Sequence, residues 1–309
     1  MKKDLISILD LTKDEILEIF KLARKVKKEI KAGKYRDCFN QKTLAMIFEK
    51  PSLRTRVSFE AGFTQLGGHA IYLGPKDISL GSRESVPDIA RNLDRMVDII
   101  MARVFSHKSV EDLAKYSKIP VINGLSDKEH PCQVLADYLT IEEHKGKTSG
   151  IKFTFVGAGN NMSHSLMLIS TMLGADFYMA CAKGYEPDGE YVEKSKEMAK
   201  KNNSKVVITY DPIEAVKDAD VVYTDVWASM GEEAEKEERA KAFKDYQVNM
   251  KLFKNAKSDA IFMHCLPAHR GEEVTDDVID SPNSVVFDEA ENRLHAQKAV
   301  MLKLLGVNK

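Results

Sequence analysis

The sequence predicts an α/β protein of two domains, each a mainly parallel sheet with helices on both faces. Three observations predict this. Short apolar runs alternate with helix-periodic stretches along most of the chain, the pattern of parallel strands joined by crossover helices. With 309 residues the chain is long for one core, so two domains of ~150 residues are expected. A polar, glycine-bearing stretch, Lys145-Gly146-Lys147-Thr148-Ser149-Gly150, separates two such alternating series and marks a surface boundary.

Thr12-Lys13-Asp14-Glu15 is a capping box, and the stripe Ile16, Ile19, Phe20, Ala23, Val26, Ile30 that follows has helical spacing up to Gly33. Strands are expected at 43–48, 69–73, 98–103 and 120–123, with helices at 57–66, 87–96, 110–116 and 130–144 around them. The second series has strands at 151–156, 177–180, 205–209, 220–224, 260–263 and 284–287. Its helices lie near 163–173, 191–202 and, in pieces, 236–253. A last helix, 289–305, stands apart from the second sheet.

Composition excludes several classes. Hydrophobic residues are 43%, charged residues 30% and the net charge is −1, so no basic surplus points to nucleic acid and no like-charge block suggests a tail. Cys38, Cys132, Cys181 and Cys265 are too scattered for a disulfide framework or a zinc ribbon. Met1-Lys2-Lys3-Asp4 leads into an amphipathic pattern and not a signal-peptide core. No apolar run approaches the ~18 residues of a membrane span. A reducing cytoplasm is the expectation.

Ligands in parallel sheets bind at the carboxyl ends of strands, so the chemistry is sought there. After the first strand comes Ser52-Leu53-Arg54-Thr55-Arg56, a strand-to-helix turn with Ser52 at the N-cap. Free N–H groups, the positive end of the macrodipole, two hydroxyls and two guanidinium forks suit a phosphate. Arg103 ends the third strand; it is either a surface arginine or a ligand for a carbonyl or phosphate oxygen. His130-Pro131-Cys132-Gln133 opens a helix whose dipole would keep the imidazole neutral, as a cap or as a hydrogen-bond donor.

Gly157-Ala158-Gly159-Asn160-Asn161-Met162 comes near the dinucleotide fingerprint, but Met162 fills the third glycine position and no acidic residue ends the next strand. A tight turn presenting Asn161 to a small molecule fits better. Asp225-Val226-Trp227-Ala228-Ser229-Met230-Gly231 offers a carboxylate for a substrate ammonium, with Trp227 as wall. His264-Cys265-Leu266-Pro267 lacks zinc spacing, and Cys265 reads equally as a neutral pocket thiol or a nucleophile. Arg293 opens the last helix, solvated by default.

Together these stretches resemble the aspartate/ornithine carbamoyltransferase family. Ser52-Leu53-Arg54-Thr55-Arg56 is similar to its Ser-Thr-Arg-Thr-Arg motif, and His130-Pro131-Cys132-Gln133 to its His-Pro-x-Gln motif. Asp225 to Gly231 and His264-Cys265-Leu266-Pro267 are similar to the ornithine branch; the aspartate branch has His-Pro-Leu-Pro and lacks the Ser-Met-Gly segment. The resemblance spans nearly the whole chain, in the family's order. It implies a carbamoyl phosphate domain at 1–146, to which the helix 289–309 returns, and an L-ornithine domain at 147–288.

By the same resemblance, Ser52, Leu53, Arg54 and Thr55 would hold the phosphate, and Arg103, His130 and Gln133 the carbamoyl end. Cys265, Leu266 and Arg293 would complete that pocket. Asn161, Asp225, Ser229 and Met230 would hold the α-amino and α-carboxylate groups of ornithine. Arg103, His130, Cys265 and Thr55 would be catalytic, with no metal and no organic cofactor. Leu53 replaces the usual threonine at a position that contributes mainly backbone, and Ser79 replaces a longer residue that reaches a neighbouring subunit's ligand. The resemblance implies a step of arginine metabolism giving citrulline, by a homotrimer or a multiple of trimers. The rival readings are a carbamoyltransferase for another amine such as putrescine or a modified ornithine, a nucleotide-dependent oxidoreductase, and a non-catalytic member that binds or regulates.

Overall fold

The computed structural model describes residues 1–228 and 233–307. By packing, the chain forms two compact units, Met1–Ala136 with Glu291–Lys309, and Asp137–Ala290. The division falls inside the helix Pro131–Lys145, ahead of the surface stretch that the sequence suggests as a boundary.

The first unit carries a four-stranded sheet in the order β2-β1-β3-β4, every neighbouring pair parallel. β1 is Thr43–Phe48, β2 His69–Leu73, β3 Ile99–Arg103 and β4 Val121–Leu125. Leu44 to Phe48 are fully buried, as an unbroken apolar run must be when helices cover both faces. β2 is an edge strand and leaves Ile71 40% exposed. Ala45, Ile47, Ile100, Ala102 and Val121 meet Ile89, Val110 and Leu113 of the covering helices in one core cluster. The C-terminal helix Val286–Leu304 contributes to this unit: Lys298, Leu294 and Met301 lie against Gly62, where an added Cβ would meet Lys298 at 3.2 Å. The helix Lys13–Lys31 opens on its Thr12–Glu15 capping box and is left by Gly33 at φ +71°, the left-handed stop a glycine takes without strain.

The second unit carries a five-stranded parallel sheet, β7-β6-β5-β8-β9. β5 is Lys152–Val156, β6 Asp176–Ala180, β7 Val206–Thr209, β8 Val221–Thr224 and β9 Ile261–Met263. Phe153 lies between Phe177 of β6 (ring centroids 5.9 Å apart) and Tyr223 of β8 (5.8 Å), so an aromatic row crosses the sheet.

The expected strand at 284–287 does not form. Ser284 makes one bridge to Phe262, and the helix Val286–Leu304 has already begun. Val285-Val286-Phe287 reads as strand locally, but Asp288 and Glu289 favour the positive end of a helix over a strand. The short helices Pro75–Ile78, Pro212–Val216 and Asp276–Ile279 span too few residues to show a period. Among the described residues, no helix is long and apolar enough to cross a membrane.

Both sheets have their strand-order reversal beside the strand that starts the series. In the first unit β1 lies between β2 and β3; in the second β5 lies between β6 and β8. The crevices at the carboxyl ends of β1 and β3, and of β5 and β8, are the topological switch points where such sheets take ligands.

Candidate active site

At the first switch point, Ser52 is the N-cap of the helix Leu53–Thr64, and its hydroxyl accepts from Thr55 N at 3.3 Å. No acidic residue occupies that helix's first turn, which leaves its positive end for an external anion. Arg103 ends β3 and donates from Nη1 to Thr55 Oγ1 at 3.3 Å; Arg293 donates from Nη2 to the same oxygen at 2.9 Å. Arg293 Nη1 also donates to Gln133 Oε1 at 2.8 Å. Thr55, Arg103, Gln133 and Arg293 are all buried. The turn after the first strand, the third strand's end and the C-terminal helix thus meet at one hydroxyl, and Arg293 ties the Pro131 helix to it. With two guanidinium groups as donors, that hydroxyl's own hydrogen is directed to a third acceptor.

His130 immediately precedes the Pro131 helix and is buried. Burial holds its pKa well below the ordinary histidine value, and Arg293, Arg103 and Arg54 push it further down. The imidazole is therefore neutral at working pH and can donate only one N–H. The cause is burial and neighbouring cations, not only the helix terminus that the sequence suggests. Arg56 departs from expectation: it is exposed, pairs with Glu60 at 3.1 Å and stacks over Tyr72 at 4.1 Å. Of the two forks in the motif, Arg54 belongs to the cluster around His130, and Arg103 and Arg293 add to it from far along the chain. Leu53 is 73% exposed, so at this turn it offers its backbone and not its side chain.

At the second switch point, Asp225 follows β8 and is buried. Its Oδ2 accepts from Asn160 Nδ2 at 3.0 Å; its Oδ1 accepts from Val226 N at 2.8 Å and from the Cys265 thiol at 3.2 Å. Asn160 cannot turn its amide over, because its Oδ1 caps the helix Asn161–Leu173 by accepting from Met162 N and Ser163 N, both at 3.0 Å. Asn161, the expected ligand, is half-buried at the first position of that helix. Burial raises the Cys265 pKa well above the thiol value, and the carboxylates of Asp225, Glu289 and Asp137 raise it further. Cys265 is thus a neutral S–H donor at working pH, neither thiolate nucleophile nor base.

The next residue, Leu266, is in the left-handed region at φ +57°, a conformation that costs a residue with a side chain about 1–3 kcal/mol. Its N–H donates to His264 Nδ1 at 2.8 Å, and His264 Nε2 pairs with Glu273 Oε1 at 3.1 Å. Asp225, His264 and Cys265 lie close enough to suggest a cation site. Both His264 nitrogens are already engaged, so a cation there would have to break one of these bonds.

The glycine turn is closed to a dinucleotide. A Cβ on Gly159 would lie 2.4 Å from the backbone of Glu186 and Pro187, so chain already occupies the space that a pyrophosphate would need. Gly159→Ala is expected to destabilise the protein by about 1–3 kcal/mol or more through overpacking, read as a lower Tm.

The structure thus gathers Ser52, Leu53, Arg54, Thr55, Arg103, His130, Gln133 and Arg293 in the first unit, and Asn161, Asp225, Cys265 and Leu266 in the second. Ser229 and Met230 lie outside the described residues. Ser79 is left-handed at φ 40° with its hydroxyl donated to Pro75 O at 3.2 Å, so it reaches inward to its own loop. Sequence reasoning missed Asn160, Glu273, Glu289 and Asp137. For Asn160 the signal was present: an Asn ahead of a helix, where N-caps sit.

Two family models match this chain. The aspartate/ornithine carbamoyltransferase carbamoyl-P binding domain matches residues 3–143, and the Asp/Orn binding domain of the same family matches 149–304. The ornithine carbamoyltransferase of Pyrococcus horikoshii is 59% identical over 304 residues, covering 98% of this chain and 96% of that one. The catabolic ornithine carbamoyltransferase of Thermoplasma volcanium is 55% identical over 307 residues, covering 99% of each. The solved structure of ornithine carbamoyltransferase from Pyrococcus furiosus superposes with a TM-score of 0.96 at 58% identity, covering 99% of this chain and 98% of that one.

Proposed function

The chain belongs to the aspartate/ornithine carbamoyltransferase family, and on that premise we propose that it transfers the carbamoyl group of carbamoyl phosphate to the δ-amine of L-ornithine, giving L-citrulline and phosphate. The observation that carries the reading at the level of residues is the convergence of Arg103 and Arg293 on Thr55 Oγ1 at the capped helix terminus. Such a terminus recognises a dianion next to a group that accepts hydrogen bonds.

In the proposed reaction the phosphate occupies the turn Ser52, Leu53, Arg54, Thr55, bound by first-turn N–H groups, hydroxyls and the Arg54 fork. The carbamoyl oxygen takes the third hydrogen bond of Thr55, together with donors from Arg103 and neutral His130. The amide oxygen of Gln133 is claimed by Arg293, so its NH2 end is the one that faces the carbamoyl group. Leu266 and Arg293 complete that end. Asp225 takes the α-ammonium of ornithine, and Asn161, Ser229 and Met230 its carboxylate side.

The neutral δ-amine attacks the carbamoyl carbon, the carbonyl oxygen gains charge under these donors, the C–O bond to phosphate breaks, and the departing phosphate takes up the proton that the amine loses. A free alkylamine titrates near ~10.4, so a cationic, desolvated site that lowers this value supplies more of the reactive form. Cys265, kept as a thiol, positions that amine and does not take its proton. Holding both substrates in line supplies much of the remaining acceleration.

The domains proposed are 1–146 with the helix 289–309 for carbamoyl phosphate and 147–288 for ornithine. A homotrimer, or a multiple of trimers, is proposed too. Leu53 at 73%, Val57 at 54% and Ile71 at 40% exposure form apolar surface on the first unit that an oligomer would cover. The four unpaired cysteines agree with a reducing cytoplasm.

Purified protein given carbamoyl phosphate and L-ornithine is expected to release phosphate and form citrulline in equal amounts. Robust turnover of putrescine or aspartate with none of ornithine would overturn the substrate assignment.

A further inference from the structure

Asp137 and Glu289 are, within one residue, where the chain enters and leaves the second unit, Asp137–Ala290. Both are essentially buried, at 0% and 1% exposure, and their carboxyl groups are hydrogen-bonded to each other. Two carboxylates have no hydrogen to share, so such a contact requires one proton. Glu289 uses both oxygens as acceptors. Tyr223 O–H donates to Oε1 at 3.1 Å, and the backbone N–H of His264 donates to Oε2 at 3.0 Å. One hydrogen therefore lies between the two carboxyl groups.

We infer that Asp137 and Glu289 share a single proton and act as positioning residues: the pair holds His264 N–H, and with it the turn that carries Cys265 and Leu266. Neither touches the reacting atoms. The groups that face the pair are Tyr223 and Asp225 from β8 and its end, and His264 and Cys265 from the turn after β9. Tyr223, Asp225 and Cys265 are neutral or negative at working pH, which favours keeping the proton. Burial is the largest influence raising the pair's proton affinity above the carboxylate range, followed by the mutual repulsion of the two groups. Loss of the proton at alkaline pH leaves two buried like charges in contact, which separate and release the His264 N–H. The turn then loses the bond that fixes its start, while the Leu266 N–H to His264 Nδ1 contact moves with it.

The reading of the turn as part of an ornithine site rests on the proposed function; the shared proton does not. Infrared difference spectra of the wild type against Asp137→Asn at slightly alkaline pH test the proton alone. A protonated-carboxyl carbonyl band that shifts in heavy water, present in the wild type and lost in the variant, is expected. Its absence would overturn the inference whatever the enzyme's substrate.

Activity tests the positioning. An asparagine amide at this position can donate to Glu289 in place of the shared proton, so Asp137→Asn is expected to keep kcat/KM for ornithine within about threefold at neutral pH. It should also remove any alkaline fall that the pair causes. Glu289→Ala strands a buried N–H and a buried hydroxyl, and is expected to lower kcat/KM for ornithine about tenfold or more. Equal losses in Asp137→Asn and Glu289→Ala, with the band present, would mean the pair is only structural and would overturn the positioning role.

Discussion

Arg54→Ala is expected to lower kcat/KM for carbamoyl phosphate by about a hundredfold or more, with circular dichroism and Tm unchanged. Arg54 is half-buried in the first turn of the helix Leu53–Thr64, and its charge is among those that depress the His130 pKa. A charge-assisted, two-pronged contact to a dianion strengthens as the departing phosphate gains charge, so its loss falls on turnover as well as on binding. The fold should not notice, because the Ser52 cap is made by other atoms. Carbamoyl phosphate kinetics close to wild type would remove the phosphate role of this turn.

His130 provides a pH test of the same cluster. Its folded pKa is depressed, so it stays neutral in the native protein where the unfolded chain, with an ordinary pKa of ~6.5, takes up a proton. The unfolded state then binds more protons, and the stability contribution present above ~6.5 is lost as pH falls below it. By the same logic, the acid limb of kcat/KM should carry no His130 titration near that value in the free enzyme.

The fold was legible wherever one physical signal dominated. The apolar run at 43–48 and the short strand expected at 69–73 match β1 and β2 to the residue, and Ser52 was found as an N-cap because its hydroxyl stands just ahead of a helix. Boundaries drifted where the chain has no clear stop, as at the C-terminal end of the helix Val86–Leu93, expected at 87–96, where Asp94 stays in the right-handed region. The strand expected at 284–287 failed because an apolar triplet carries no period of its own.

The site was legible in its local motifs and hidden in its long-range bonds. Nothing near Thr55 in the chain announces that Arg103 and Arg293 will both donate to it; sheet order and the returning helix decide that. Arg56 was expected beside Arg54, yet Glu60 and Tyr72 on its own surface draw it away. The Asp137–Glu289 pair joins residues that only topology brings together, and each alone reads as a solvated helix charge.

Asp225→Asn is expected to lower kcat/KM for ornithine by about a hundredfold or more, while the KM for carbamoyl phosphate stays near wild type. Among the described residues, the groups bonded to Asp225 are donors: Asn160 Nδ2 on one oxygen, Val226 N and the Cys265 thiol on the other. An asparagine must turn its NH2 toward one of these, and either orientation sets donor against donor. Toward Asn160 it disturbs the residue whose Oδ1 caps the helix Asn161–Leu173; toward Cys265 it displaces the thiol. The substitution also deletes the charge proposed to hold the α-ammonium. A hydrogen bond to an ionised group contributes about 1.5–3 kcal/mol, and the donor clash adds to that. 5-Aminopentanoate separates the two losses, since it keeps the reacting amine and the carboxylate but has no α-ammonium. If Asp225 holds the α-ammonium, any slow 5-aminopentanoate reaction should fall far less than the ornithine reaction. If ornithine turnover instead survives with an unchanged KM, the carboxylate lies outside the ornithine site, and its bond to the Cys265 thiol serves the architecture of the β8–β9 turns alone.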